Sequence, residues 1–128
     1  MICEGIVLTQ KDIRQIQLAK AAIAAGIKTL LMLSDTKEEE VTAFYIAGGF
    51  GSHLNIDSAV RIGLFPRALR KNVKVLGNGA LKGAAALLTQ EELKEKINGI
   101  ASGAECVNLG GMQEFNDKYI DEMFFNMD

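Results

Sequence analysis

The spacing of apolar residues predicts one long helix near the start of the chain. Thr9 stands three residues before Asp12, which is the spacing of a capping box. Over residues 11–33 the large aliphatic side chains recur at intervals of three, four and seven and therefore share one helical face: Ile13, Ile16, Ile23, Ile27 and Leu30. Lys20 falls inside this stripe, so its amine either extends past the core edge to solvent or enters a ligand cleft.

Short β-prone runs alternate with helical patterns along the rest of the chain. We predict strands at 6–8, 42–47, 73–76 and 105–109, of which the second is buried. Helices are predicted at 57–62 with Asp57 as cap, at 80–88, after a cap at Thr89, and at 114–125. Strands that alternate with helices indicate a layered α/β/α domain with a largely parallel or mixed sheet, and residues 1–128 are expected to form a single domain.

Two glycine-rich segments follow predicted strands, at the edge where α/β sheets bind their ligands. The first spans residues 47–53 (AGGFGSH) and the second spans residues 77–86 (GNGALKGAAA). Glycines there let the backbone turn sharply and let a planar or anionic group approach closely. The first segment alone fits a ligand site and a tight turn equally well. The second resembles the dinucleotide fingerprint, but its third glycine falls one position late, and close helix packing or a hinge is the alternative.

Composition and charge narrow the function classes. Hydrophobic residues make up 48% of the chain and the net charge is −2, which argues against nucleic-acid binding. The first eight residues lack the basic start of a signal peptide, and no apolar run approaches the roughly 20 residues of a membrane helix. Cys3 and Cys106 are too few for a zinc or iron–sulfur site, and we expect inert, reduced thiols in the cytoplasm. His53, the one histidine, is expected to be a polar loop residue.

Four segments share a pattern with one protein family, and the resemblance runs over nearly the whole chain in the right order: TQKDIRQIQLAKAAI from Thr9, AGGFG from Ala47, DSAVRIGLFP from Asp57 and GNGALKGA from Gly77. They resemble the C-terminal domain of the reductive activators of corrinoid proteins, which are ferredoxin-like iron–sulfur ATPases. The resemblance implies an RNase H-like lobe of the superfamily that contains actin, sugar kinases and heat-shock chaperones. Two such lobes close on ATP or ADP with Mg²⁺, and the iron–sulfur cluster belongs to an N-terminal domain that is absent from this chain.

The resemblance also implies which residues contact the nucleotide. Those assigned to the adenosine motif and to the hinge helix are Gly48, Gly49, Phe50, Gly51 and Ser52, and Asn78 and Gly79. Gln17 and Lys20 would line the adenine side. The phosphate-binding hairpins of the superfamily have no counterpart before Thr9, so we expect the C-terminal lobe of a larger ATPase domain, with no catalytic or metal-binding residue of its own.

The leading functional hypothesis is that the parent protein uses ATP to return the corrinoid cofactor of a methyltransferase system from Co(II) to Co(I). Closure of the lobes would couple the nucleotide to the partner complex. Its partners would be the corrinoid protein, the nucleotide and the missing N-terminal lobe, with a homodimer possible, and neither nucleic acid nor membrane. One alternative is a non-catalytic interaction module that docks on a partner or on itself, and another is a small kinase of the same superfamily.

Overall fold

Residues 5–125 are described by the computed structural model, in which helices alternate with two short strands. The helices and strands in chain order are α1 Gln10–Leu33, β1 Phe44–Ala47, α2 Gly49–His53, α3 Ile56–Arg61, β2 Val73–Gly77, α4 Gly79–Thr89, α5 Leu93–Gly103 and α6 Gln113–Asp121. Short 3₁₀ helices lie between them at Glu38–Glu40, Arg67–Asn72 and Leu109–Gly111. The chain is therefore of mixed α/β class, as predicted.

The predicted capping box at the start of α1 is confirmed. The hydroxyl and the amide of Thr9 both donate to Asp12 Oδ2, at 2.6 and 2.8 Å, and the Asp12 amide donates to Thr9 Oγ1 at 3.2 Å. These hydrogen bonds hold the pKa of the Asp12 carboxyl below its ordinary value. The helix begins at Gln10, one residue before the predicted start, and it ends at Leu33.

The buried face of α1 consists mainly of small residues. Its buried positions are Lys20, Ala21, Ala24, Ala25, Gly26 and Thr29. Ile16, Ile23 and Leu30 of the predicted apolar face are 41%, 45% and 48% exposed, so that face is not the buried one at these positions. Small side chains let neighbouring elements approach the helix backbone: a Cβ at Gly26 would lie 3.6 Å from Leu109 Cδ1. α1 packs against α6, and Lys20 on this face donates to the segment that follows α6.

α1 is long and apolar enough to cross a membrane, contrary to the expectation that no segment reaches that length. Length and composition are the only support for such a span, and a core helix satisfies the same criteria. The helix packs on α6, and both Lys20 and Lys28 pair with Glu122, which directly follows α6. These are the contacts of a core helix.

The sheet of the described residues consists of two parallel strands. β1 pairs with β2 from Phe44 opposite Val73 onward, and a register shift after Ile46 brings Ala47 opposite Gly77. The strand predicted at 42–47 begins two residues late, and it is half exposed where a buried strand was predicted. The strand predicted at 73–76 is confirmed and extends to Gly77.

The two outermost predicted strands are not formed as predicted. Residues 105–109 make no strand within residues 5–125, because an extended segment becomes a strand only where a neighbour accepts its backbone hydrogen bonds. In the predicted strand 6–8, Ile6 makes an isolated bridge and the next two residues are unpaired. The sheet is thus smaller than the sequence suggested.

Two predicted helix caps are wrong. The cap of α3 is Asn55, whose Oδ1 accepts a hydrogen bond from the Ser58 amide at 2.9 Å. Asp57 instead pairs with Arg70. Thr89 is the last residue of α4, and its hydroxyl donates back to carbonyl oxygens of that helix, so α5 starts later, at Leu93. At α3 the neighbouring Asn55 side chain takes the orphan amide, whereas the residue before α5, Glu92, makes no side-chain cap hydrogen bond.

The chain exposes more surface than a compact protein of its size. Its accessible area is 9673 Å² at 13.8 kDa, whereas surface scaling gives about 6600 Å² for that mass. Part of the exposed apolar area lies on α4 and α5, in which no residue is buried. We call the exposed apolar residues of these two helices the hairpin face: Leu81 (65% exposed), Leu88 (89%) and Ile100 (64%).

Candidate functional site

The two glycine turns lie side by side. β1 and β2 are parallel, so both strands end at the same edge of the sheet. The amide of Gly48, directly after β1, donates to the carbonyl oxygen of Gly77 at the end of β2, with an N···O distance of 2.7 Å. Two segments separated by about thirty residues in sequence are thereby joined into one structural unit, which we call the glycine edge (residues 47–53 and 77–79).

The first turn depends on two glycines for different reasons. Gly48 has φ +95°, a left-handed conformation that side chains strongly disfavour. Gly51, inside α2, is buried, and a Cβ there would overlap Ile46 Cγ2. The hydroxyl of Ser52 donates to the Gly48 carbonyl oxygen at 3.2 Å and ties α2 back onto the turn. These constraints explain the sequence AGGFGS as a turn in its own right.

The second turn leads directly into α4. Gly77 has φ +69°, and Asn78 caps the helix, with Oδ1 accepting from the Leu81 amide at 3.0 Å. A Cβ at Gly79 would lie 3.6 Å from Ala47 Cβ, so the start of α4 packs against the end of β1. The side chains of Ser52 and Asn78 therefore hold the two turns in shape.

The outer side of the glycine edge is open. Nothing lies within 4 Å of a Cβ built at Gly48 or at Gly49. Phe50 is 95% exposed, and together with Gly49, His53 and Leu54 it lines a shallow apolar depression. A planar ligand can reach the bare backbone here and stack on the Phe50 ring. Sequence reasoning missed Leu54, which carries no polar group and no motif.

Lys20 is not at the glycine edge. Its side chain is 1% exposed, and its Nζ donates to the Phe124 carbonyl oxygen at 2.8 Å and lies 3.7 Å from Glu122 Oε2 and 5.9 Å from the centre of the Phe125 ring. Burial lowers the pKa of this amine, and the Glu122 carboxylate partly opposes that shift. Lys20 is therefore part of a buried contact after α6 and does not reach solvent. The adenine contact implied by the resemblance stays a prediction that this burial does not favour.

Gln17 belongs to the same helix-to-helix contact. Its Nε2 donates to the Met123 carbonyl oxygen at 3.1 Å, one turn of α1 before Lys20. Together with the pairing of Lys28 and Glu122, these bonds fasten the segment after α6 to α1. We call this set the α6 clasp: Gln17, Lys20, Lys28 and Glu122 with the carbonyls of residues 123 and 124. The sequence offered no signal for it beyond the lysine within an apolar stripe.

Metal-binding groups are not assembled within residues 5–125. That range holds no cluster of three or more histidine, cysteine, aspartate or glutamate side chains able to bind a metal ion. Cys106 is exposed and free, whereas Cys3 lies outside the described residues. These residues do not fit an iron–sulfur cluster, which takes four protein ligands.

Residues 2–128 match one family model, described as the C-terminal domain of RACo, the ASKHA domain. The chain is also 34% identical over 122 residues to the corrinoid activation enzyme RamQ of Eubacterium limosum, across 95% of this chain and 21% of that protein. It is 28% identical over 123 residues to the [Co(II) methylated amine-specific corrinoid protein] reductase of Methanosarcina barkeri, across 94% of this chain and 23% of that protein.

One solved structure has the same fold as this chain. The reductive activator for corrinoid, iron–sulfur protein superposes with a TM-score of 0.84 at 36% identity, and the match covers 94% of this chain and 19% of that one. The predicted fold class, an ASKHA-type α/β domain, is confirmed. The chain spans about a fifth of the length of these relatives.

Proposed function

This chain belongs to the family of C-terminal ASKHA domains of RACo, and we propose that it is the nucleotide-binding lobe of an ATP-dependent reductive activator of corrinoid proteins. One observation carries the proposal. The hydrogen bond between Gly48 and Gly77 joins both glycine turns at one sheet edge, with open space before Gly48 and Gly49. The carboxyl edge of parallel strands is where α/β sheets bind ligands.

The residues of the glycine edge fit the adenosine part of ATP or ADP. Gly48 and Gly49 let the base or ribose approach the backbone, and Phe50 offers an exposed ring for stacking. Gly51 and Gly79 allow the close packing that fixes the turns, and Ser52 and Asn78 brace them. When bound, ATP supplies the free energy of its hydrolysis.

The large exposed surface supports the proposal that this chain is one lobe of a longer protein, whose other parts cover it. The chain has about a fifth of its relatives' length, and it exposes roughly 3000 Å² beyond the ~6600 Å² expected for its mass. A partner lobe that covers the hairpin face would account for part of that excess. We propose that this lobe supplies the phosphate-binding and Mg²⁺-binding groups, and that a further N-terminal domain holds an iron–sulfur cluster.

The relatives support a proposal for the activity of the parent protein. Their names describe corrinoid activation and reduction of a Co(II) corrinoid protein. We propose that the parent of this chain likewise returns a corrinoid cofactor in a methyltransferase system from Co(II) to Co(I), in the cytoplasm. Lobe closure on ATP would couple the nucleotide to the corrinoid protein partner.

A chimera tests this proposal. We expect RamQ to keep most of its corrinoid activation when this chain replaces the matching 122 residues, because this chain supplies the glycine edge and the hairpin face that the proposal requires. The measurement is the absorbance of the Co(I) corrinoid after ATP is added. The 128-residue chain alone is expected to release no phosphate from ATP, since the groups that contact phosphate lie elsewhere.

The control is a second RamQ chimera that carries the matching domain of the Methanosarcina barkeri protein, which is 28% identical to this chain. If both chimeras melt cooperatively and only the one with this chain fails to form Co(I), the activator function is contradicted. Phosphate release by the chain alone would contradict the assignment of an incomplete lobe.

The hairpin face also favours a second candidate, a non-catalytic module that docks on a partner or on a second copy of itself. A groove between α4 and α5, lined by apolar residues that include Leu87, Leu88 and Ile97, continues this face. The two candidates differ in one respect, because only a nucleotide-binding lobe is expected to respond to ADP at the glycine edge.

A further inference from the structure

The positive charge of this chain is concentrated in one stretch. Between Ser58 and Gln90 there are six basic side chains and no acidic one. The whole chain has 14 basic and 16 acidic side chains, so the other residues carry eight basic and 16 acidic ones. A protein with net charge −2 is therefore strongly polarised along its sequence, with a cationic middle between acidic ends. The basic side chains of this stretch are Arg61, Arg67, Arg70, Lys71, Lys74 and Lys82.

The fold brings three of these arginines to one surface. Asp57 and Arg61 lie one turn apart on α3 and so share a face of that helix. Arg67 and Arg70 are three residues apart in the Arg67–Asn72 3₁₀ helix, where side chains at that spacing eclipse.

An ion pair joins the two elements. Arg70 Nε donates to Asp57 Oδ1 at 2.6 Å, and the pair holds the pKa of the Asp57 carboxyl below its ordinary value. Arg61 and Arg67 line a common cleft of about 160 Å³ whose buried part includes Phe65 and Pro66. We call Arg61, Arg67 and Arg70 the arginine surface.

Two of the three guanidinium groups of the arginine surface have no acidic partner among residues 5–125. Lys82 is engaged by the Leu76 carbonyl oxygen at 2.7 Å, and Lys74 lies over the Tyr45 ring. Arg61 and Arg67 are exposed and form no ion pair with any of residues 5–125.

Two carboxylates also line the cleft. Glu122 is already paired with Lys20 and Lys28, and Glu38 is the other. Among residues 5–125 neither carboxylate forms an ion pair with Arg61 or Arg67, so both guanidinium groups remain available to an outside partner.

We propose that the arginine surface is a docking site for a protein partner that presents carboxylates. The planar fork of arginine matches a carboxylate with two parallel hydrogen bonds, and the apolar floor at Phe65 and Pro66 offers contact to the stems of such side chains. A long polyanion such as nucleic acid would extend beyond this surface onto residues that carry eight more acidic than basic side chains, whereas a short acidic segment would contact the arginine surface alone. The surface is separate from the glycine edge, so the proposal does not rest on nucleotide binding.

The test is a titration of the ¹⁵N-labelled chain with a hexaglutamate peptide, followed by amide shifts. We expect saturable shifts confined to residues 57–72. The charge reversal R61E/R67E is expected to raise the dissociation constant about tenfold, whereas K96E, an exposed charge reversal on α5, is expected to change it less than about twofold. A milder variant, R61Q/R67Q, is expected to raise the dissociation constant about threefold. It keeps the proposal testable if the double charge reversal does not fold.

Three outcomes would overturn the proposal. One is that K96E weakens hexaglutamate binding as much as R61E/R67E does. Another is that the shifts fall outside residues 57–72 or are absent. The third is that oligothymidylate or phosphatidylserine vesicles bind the same residues more tightly than hexaglutamate, which would assign the surface to nucleic acid or to membranes.

Discussion

Replacing Glu122 with alanine is expected to lower the free energy of unfolding by about 3 kcal/mol, because it leaves the Lys20 amine buried without its counter-charge. Lys20 is 1% exposed, and Glu122 is 15% exposed and also pairs with Lys28. Loss of the carboxylate leaves Lys20 with the Phe124 carbonyl as its remaining close partner. Urea denaturation of the two proteins, followed by circular dichroism, measures the difference.

Glu91→Ala is the matched control for this prediction. Glu91 pairs with Lys94 at 3.0 Å, but both side chains are more than half exposed. An exposed pair of this kind contributes about 0–1 kcal/mol, so its loss is expected to be nearly silent. Equal effects of the two substitutions would show that the α6 clasp does not depend on a buried charge.

Lys20→Met separates the charge from the packing. The methionine side chain fills a similar volume without an amine, and Glu122 keeps Lys28 as its partner. We expect a smaller loss of stability than for Glu122→Ala, since removing a buried charge costs less than stranding one. A larger loss for Lys20→Met would contradict this order.

The burial of the Lys20 amine also determines how the stability of the chain depends on pH. The pKa of Lys20 is lower in the folded chain than its ordinary value of 10.5. Between the two pKa values the unfolded chain binds more protons, so the contribution of Lys20 to stability rises with pH in that window. Glu122→Ala removes an attraction that raises the folded pKa, and the rise is expected to begin at a lower pH in that variant.

Gly51→Ala is expected to destabilise the chain by about 1–3 kcal/mol, because the added methyl group overlaps Ile46 and must push β1 and α2 apart. Gly51 is buried, and Ile46 belongs to the strand whose end forms the glycine edge. The displacement would therefore reach both turns. Thermal unfolding of the variant and the original chain checks the stability change.

Gly49→Ala provides the control on the same short helix. Nothing lies within 4 Å of a Cβ at that position, and its φ is not in the left-handed region. We expect a change within about 0.5 kcal/mol, as for a substitution at an open surface site. A loss at Gly49 equal to that at Gly51 would mean that the steric contact with Ile46 is not what requires glycine at position 51.

Local signals in the sequence were sufficient for much of the fold. The Thr9 and Asp12 pair identified the start of α1, and the glycines after each β-prone run marked where β1 and β2 end. Each of these features depends on residues only a few positions apart. The prediction that both glycine segments follow strands at one edge was right for the same reason, since parallel strands leave their ends together.

Features that depend on distant partners could not be predicted. Residues 105–109 have the composition of a strand, but they pair with no strand within residues 5–125. Lys20 was assigned to solvent or to a ligand, whereas its partners Glu122 and Phe124 lie about a hundred residues away. The exposure of Ile16 and Ile23 could not be predicted either, because which face of α1 is buried depends on packing with α6, about a hundred residues away.

Titration of the ¹⁵N-labelled chain with ADP tests the central claim, that the glycine edge is a nucleotide site. We predict saturable amide shifts at residues 48–51 and 77–79, with little change at Lys20 and Gln17 in the α6 clasp. Absence of shifts at the glycine edge at millimolar ADP, or shifts centred on Lys20, would contradict the claim and leave the docking module as the better account of this lobe.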